Sequence, residues 1–235
     1  MLSSYRGAIF DMDGLIFDTE SIARWAWKQA LKEHGYIMSD NLYRSLVGRD
    51  LSWREKLLKK VYGESLPFDS VTTQRIAIGD ERELREGLPM KPGVLDLLQR
   101  LNDLGMMIGL ATGTGRTRAI RRLTNAGIKQ YFTIIVTSED VAEGKPAPDI
   151  FLEASHRMNI APAECIVFED SCVGVEAAFE AGMCAIMVPD IEEPSPEISN
   201  LAYGVFKSLE EVGELLPPRV KELKVAENLK RPNMN

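Results

Sequence analysis

Cysteine is sparse and shows no pairing pattern. Cys165, Cys172 and Cys184 are odd in number and lack paired metal-ligand spacing, which excludes a disulfide framework and a thiolate zinc site and leaves reduced packing thiols in a cytoplasmic protein as the expectation. No histidine stands near Cys172 in sequence to activate it. Long apolar runs are missing as well: none approaches the ~20 residues that span a bilayer. No basic region, apolar segment and cleavage site precede the first apolar run, so neither membrane attachment nor secretion is expected. An excess of positive charge is also absent, since 28 Lys and Arg against 35 Asp and Glu leave a formal charge of −7. That balance argues against a general nucleic-acid binder and makes any attraction of an anionic ligand a local matter. There is no internal repeat and no low-complexity segment. What remains is an ordinary globular composition, 45% hydrophobic and 27% charged over 235 residues, enough for one large domain or a medium domain carrying a smaller insert.

The informative stretch is Ala8-Ile9-Phe10-Asp11-Met12-Asp13-Gly14. It reads as a buried strand emptying into a reactive loop. In open α/β sheets ligands sit beyond the carboxyl ends of the strands, and in an extended segment Asp11 and Asp13 share one side of the chain. An Asp/Gly turn accounts for these few residues equally well, so the remaining chain has to decide.

Helical spacing follows for about seventy residues, with helices expected over 21–35, 41–47, 52–62 and 71–85, punctuated by Gly48, Gly63 and Pro67. Trp25, Trp27 and Trp53 belong to this segment and are expected to pack in its core or between it and the rest of the chain, with stacking against substrate as the alternative. From Leu88 onward strands and helices alternate: strands over 106–111, 132–136, 165–168 and 184–188, a short edge strand at 205–206, and helices over 94–104, 116–126, 150–158 and 173–181. This pattern specifies a doubly wound α/β fold, a mostly parallel sheet covered on both faces, with an all-helical cap inserted directly after the first strand. The expected domains are a core over 1–17 and 86–218, a cap over 18–85 and a polar tail over 219–235. Arg116, Arg118, Arg121 and Arg122 read as a solvated basic helix flank. Gly113-Thr114-Gly115 lacks the third glycine of a dinucleotide fingerprint and follows the wrong strand.

Polar groups at four strand ends would meet along one sheet edge: Asp11 and Asp13, Thr112, Lys145, and Glu169 with Asp170. Carboxylates crowded in one crevice repel, by ~4 kcal/mol for two unit charges about 4 Å apart at an effective dielectric of 20. An all-oxygen set calls for a cation, and Mg²⁺ suits one that must also admit substrate phosphate. A phosphate monoester fits the other groups. Asp11 can attack phosphorus, Asp13 can move a proton, Thr112 and the amides from Gly113 onward can bind phosphoryl oxygens, and Lys145 supplies positive charge.

These elements resemble the motifs of haloacid dehalogenase superfamily phosphatases of the branch with a helical cap after the first strand. Asp11-Met12-Asp13-Gly14 matches the first motif, Thr112 the second, Lys145 in Gly144-Lys145-Pro146 the third and Glu169-Asp170 the fourth, along a chain that fits the family to about Leu216. The resemblance implies Asp11 as nucleophile, Asp13 as acid/base, and Mg²⁺ bound by Asp11, the Asp13 backbone carbonyl and Asp170. Glu169 would be a metal ligand or stand behind one, and the second aspartate speaks against dehalogenation.

Sugar-phosphate phosphatases and β-phosphoglucomutase are nearest in pattern. The mutases carry a cap histidine where this chain has Ala23, and neither His34 nor His156 obviously replaces it. Hydrolysis of small phosphorylated metabolites, sugar phosphates first, is therefore expected, with a sugar phosphomutase and a non-catalytic metabolite-binding module as alternatives. Arg49 resembles the cap arginine with which mutases hold a second phosphate, although a surface arginine after a glycine turn fits as well. The resulting expectation is a cytoplasmic monomer with a small phosphate monoester as partner, and no nucleic acid or membrane.

Overall fold

A computed structural model of the chain describes residues 2–47, 49, 51–191 and 193–217. The apolar run ahead of Asp11 is β1 (Gly7–Phe10), buried along its whole length. Helices α1 (Thr19–Glu33), α2 (Asp40–Leu46), α3 (Leu51–Tyr62) and α4 (Phe68–Glu86) follow. The alternating part then runs α5 (Val94–Asp103), β2 (Met107–Thr112), α6 (Arg116–Asn125), β3 (Ile134–Thr137), α7 (Asp149–Met158), β4 (Cys165–Glu169), α8 (Cys172–Glu180), β5 (Cys184–Met187), α9 (Pro196–Leu201), β6 (Gly204–Val205) and α10 (Leu209–Glu214). Helices α9 and α10 have no counterpart in the sequence reading. At six residues each, they are too short to display a helical period, and their signal is a serine cap, Ser195 or Ser208, bonded to the first turn.

The chain divides into two compact units, one formed by Phe17–Pro89 and the other by the described residues on either side of it. The larger unit holds a six-stranded, all-parallel sheet in the order β3-β2-β1-β4-β5-β6. In register, Phe10 lies between Leu110 and Phe168. Pleating sends alternate residues to opposite faces. Ile9, Ala111, Val136, Val167 and Ala185 close one face against α7 and α8. Ala8, Phe10, Leu110 and Phe168 are equally buried on the other, where Phe10 stacks on Phe168 at 4.6 Å between ring centroids. The doubly wound expectation therefore holds in topology and in layering.

In the helical unit, α1 and α4 pack together and Trp27, Leu31, Tyr43, Leu46, Leu58 and Phe68 form its core. Asp18 caps α1 by accepting from the Ser21 amide at 3.0 Å, which starts the helix two residues ahead of the expected Ser21. Trp25 and Trp53 are not core residues; each lies against a guanidinium, Arg82 at 4.4 Å and Arg49 at 5.0 Å. The expected stop at Gly48 and the tail over 219–235 lie outside the described residues. Among those described, no helix is long and apolar enough to cross a membrane.

One polar cluster fixes the loop that leads to Lys145. Asp140 accepts from the Thr137 amide at 2.8 Å and its hydroxyl at 2.9 Å, and Arg116 of α6 and Arg157 of α7 reach the same carboxylate at 2.6 and 2.9 Å. Burial acts to raise this carboxyl, but the bonds from Thr137, Arg157 and Arg116 outweigh it and hold it well below the usual carboxylate range. A depressed carboxylate contributes stability above its unfolded-state value of ~3.9 and loses it as pH falls through the folded value. Asp140→Asn should cost about 1–3 kcal/mol at neutral pH, read as a lower urea midpoint. The gap from wild type should close as pH is taken below ~3.9; a gap that ignores pH would contradict this origin.

Candidate active site

Strand order reverses at β1, with β2 and β3 on one side and β4 to β6 on the other. In a doubly wound sheet the crevice beyond the strand ends at this switch point is where ligands bind. The residues leaving β1 and β4 there are acids. Asp11 continues the ladder through its amide to the Phe168 carbonyl at 3.0 Å, so its carboxylate and that of Glu169 emerge side by side.

Lys145 joins the two acids. Its ammonium donates to Asp11 Oδ1 and to Glu169 Oε1, each at 2.5 Å, and lies 3.4 Å from the Ala111 carbonyl and 4.9 Å from the centre of the Phe151 ring. All three ammonium protons thus have acceptors. Glu169 is wholly buried, and its other oxygen accepts from the Asp170 and Ser171 amides, both at 2.9 Å, and from the Ser171 hydroxyl at 3.0 Å. Ser171 in turn caps α8 through the Gly174 amide at 3.1 Å. Glycine is required at 174 because a Cβ there would overlap the Glu169 carboxyl group. Asp170 is packed the same way: Gly14, at φ 84°, leaves the space its carboxylate fills, with the Asp190–Lys91 ion pair close by.

Asp13 is held separately. Its Oδ1 accepts from Arg122 at 2.6 Å, and its Oδ2 from the Thr114 hydroxyl at 2.7 Å and the Thr112 hydroxyl at 3.4 Å. Thr112 is fully buried and also accepts from the Thr114 amide at 3.1 Å. The Arg116 amide that opens α6 is taken by Glu139 at 2.9 Å. The amides beyond Thr112 are therefore partly engaged, and neither of these bonds involves the exposed Gly113.

Charge in the crevice does not balance. Asp11, Glu169 and Asp170 face one ammonium. Burial, reinforced by Glu169 and Asp13 against the pull of Lys145, pushes Asp11 up to about 7. Burial and the neighbouring Glu169 and Asp11 raise Asp170 well above its ordinary range. For Lys145, burial works downward, but Asp11 and Glu169 outweigh it and hold the ammonium charged. Such an oxygen-lined excess of negative charge suits a hard divalent cation. Among the described residues no three acidic, histidine or cysteine side chains gather tightly enough to hold a metal by themselves. The Asp11 and Asp170 carboxylates are the side-chain oxygens that could serve such an ion, with waters and ligand oxygens completing its shell.

The expected residues Asp11, Asp13, Thr112, Lys145, Glu169 and Asp170 thus meet at one sheet edge, with Gly113 next to Thr112. Arg49 belongs to the helical unit. Thr114 and Arg122 are additions that the sequence reading missed. The solvated basic flank is corrected here: Arg116 pairs with Asp140, and Arg122 is 9% exposed and pairs with Asp13. The available signal was helical spacing, because Arg122 falls between Ala119 and Leu123 on the buried stripe of α6.

Replacing a helical glycine with alanine ordinarily favours the folded state by about 1 kcal/mol. At 174 the sign should reverse. Gly174→Ala must displace the Glu169 carboxyl group, and a net loss of about 1–3 kcal/mol in the denaturant midpoint is expected. An unchanged or raised midpoint would show that Glu169 is not held as described.

Comparison with known proteins gives the family. The family model for haloacid dehalogenase-like hydrolases matches residues 8–188. A phosphorylated carbohydrates phosphatase from Thermotoga maritima is 34% identical over 178 residues, 74% of this chain and 81% of that protein. The fructose-1-phosphate phosphatase YqaB from Escherichia coli is 33% identical over 192 residues, 80% and 98% of the two chains. A solved structure from Thermotoga maritima, provisionally called a β-phosphoglucomutase, superposes with a TM-score of 0.77 at 26% identity, covering 93% of this chain and 99% of that one. With its acids at the switch point of a parallel sheet and a family match across most of its length, the chain belongs to the haloacid dehalogenase-like hydrolases.

Proposed function

We propose that the protein is a Mg²⁺-dependent phosphatase of small phosphorylated metabolites, sugar phosphates foremost, working through a phosphoryl group carried on Asp11. The observation that carries this reading is the ammonium of Lys145 clamped between Asp11 and Glu169 at the β1/β4 switch point. A buried lysine holds a carboxylate in one orientation and offers positive charge where phosphoryl oxygens would sit. The carbohydrate phosphatases among its relatives support the substrate class. The absence of a histidine at Ala23 favours hydrolysis over mutase chemistry. Three cysteines in no paired spacing support a cytoplasmic setting.

In the first step an Asp11 oxygen bonds to phosphorus as the bond from phosphorus to the leaving oxygen breaks, and Asp13 gives that oxygen its proton. Water then attacks the same phosphorus while Asp13 takes its proton, the bond to Asp11 breaks, and phosphate is released. Lys145 and the Thr112 hydroxyl would each exchange a present 3.4 Å contact, to the Ala111 carbonyl and to Asp13, for a phosphoryl oxygen, and the Gly113 amide would join them through both steps. Mg²⁺, held by Asp11, Asp170 and the Asp13 backbone carbonyl, supplies neutralising charge when bound. Glu169 orients Lys145, since one of its oxygens accepts from that ammonium while the other is held by two amides and a hydroxyl, and on this reading it stands behind the metal ligands.

A carboxylate raised in the folded state contributes stability that is complete below its unfolded value of ~3.9 and is lost as pH climbs through the folded value. With a chelator present, wild type should therefore lose thermal stability relative to Asp11→Asn as pH rises towards about 7. Added Mg²⁺ should raise the wild-type melting temperature near neutrality and do little near pH ~4, where the acids are protonated. Phosphate release from fructose 1-phosphate or p-nitrophenyl phosphate should need Mg²⁺ and vanish in Asp11→Asn. Release that survives the substitution would sink the covalent route, and a melting temperature blind to Mg²⁺ would remove the metal.

A further inference from the structure

Arg122 stands apart from the other arginines of α6. Its side chain is 8% exposed, on the stripe that Ala119 and Leu123 bury, and its guanidinium meets Asp13 Oδ1 at 2.6 Å. Burying a guanidinium is costly, and an apolar side chain at a buried ion-pair position is often neutral or better. Asp13 itself is 35% exposed and can be served by water.

The two oxygens of Asp13 meet different kinds of partner. Arginine donates only and never accepts, so a proton on Oδ1 would oppose an N–H of Arg122. The Thr114 hydroxyl facing Oδ2 at 2.7 Å can donate or accept, and the Thr112 hydroxyl, which accepts from the Thr114 amide, stands 3.4 Å from the same oxygen. Oδ2 therefore faces a hydroxyl that can serve it as donor or acceptor, while Oδ1 faces a donor only. Thr112 is also the residue assigned above to the phosphoryl group, which puts Oδ2 on the side where chemistry would occur.

We infer that Arg122 is a positioning residue for proton transfer: by gripping Oδ1 it makes Oδ2, on the Thr112 and Thr114 side, the oxygen through which Asp13 delivers and collects its proton. This rests on the reading of Asp13 as acid/base. Arg122 touches neither substrate nor the reacting bond in this role. It keeps the carboxyl group of Asp13 from rotating, so that the proton leaves in one direction.

The test is leaving-group dependence. p-Nitrophenyl phosphate releases a phenolate that needs no proton, and phenyl phosphate releases one that is far more basic. The ratio of kcat/KM for the two substrates is independent of how much enzyme is folded. In Asp13→Asn, phenyl phosphate should lose about a hundredfold more than p-nitrophenyl phosphate. Arg122→Met should show the same selective loss, about tenfold, and Arg122→Lys should recover part of it because the ammonium is also a donor without acceptor capacity. Asp13→Asn losing equally on both would overturn the acid–base reading and this inference with it. Selective loss in Asp13→Asn but an equal loss, no loss or a gain in Arg122→Met overturns the role of Arg122 alone.

Discussion

The ion pair that Lys145 makes with Asp11 and Glu169 constrains the rest of the catalytic unit. It joins the loop after β3 to the ends of β1 and β4, so three segments far apart in sequence must close on one nitrogen. Burial makes it demanding. A lysine with a tenth of its side chain exposed and a glutamate with none must satisfy every proton and lone pair internally. The consequences spread outward: Gly174 leaves room for Glu169, Ser171 ties its second oxygen to the start of α8, and Asp140 anchors the loop that delivers Lys145.

The same arrangement sets the electrostatics. One ammonium cannot neutralise three carboxylates, and burial, reinforced by the neighbouring acids, displaces Asp11 and Asp170 upward. A site built only for stability would shed one acid. Retaining them creates a crevice that favours a hard cation and, with it, an anionic substrate, in a chain whose overall charge of −7 gives no general attraction to anions. Asp11 and Asp13 are two residues apart yet differently served. Asp11 faces a fixed ammonium, and Asp13 faces two rotatable hydroxyls and a guanidinium. That contrast suits a nucleophile beside a proton carrier.

Much of this was legible from sequence because it sits at strand ends. Buried parallel strands announce themselves as apolar runs, and Asp11, Thr112 and Glu169 stand where those runs stop, so the sheet, its helical insert and the convergence of acids followed from order alone. Side-chain direction was harder to read. Glu169 and Asp170 are adjacent and chemically alike in sequence; only the burial of one and the amides it accepts from separate their surroundings. Arg122 was concealed by three neighbouring arginines that make the helix look uniformly basic, although its place on the buried stripe distinguished it. Helices α9 and α10 were too short to carry a period.

The most direct measurement is mass analysis of protein quenched in acid during turnover of fructose 1-phosphate with Mg²⁺. One phosphoryl group should be recovered on the peptide that contains Asp11, and none on the same peptide of Asp11→Asn. Phosphate released during turnover with that peptide unmodified at every quench time, or modified at another residue, would contradict Asp11 as the nucleophile.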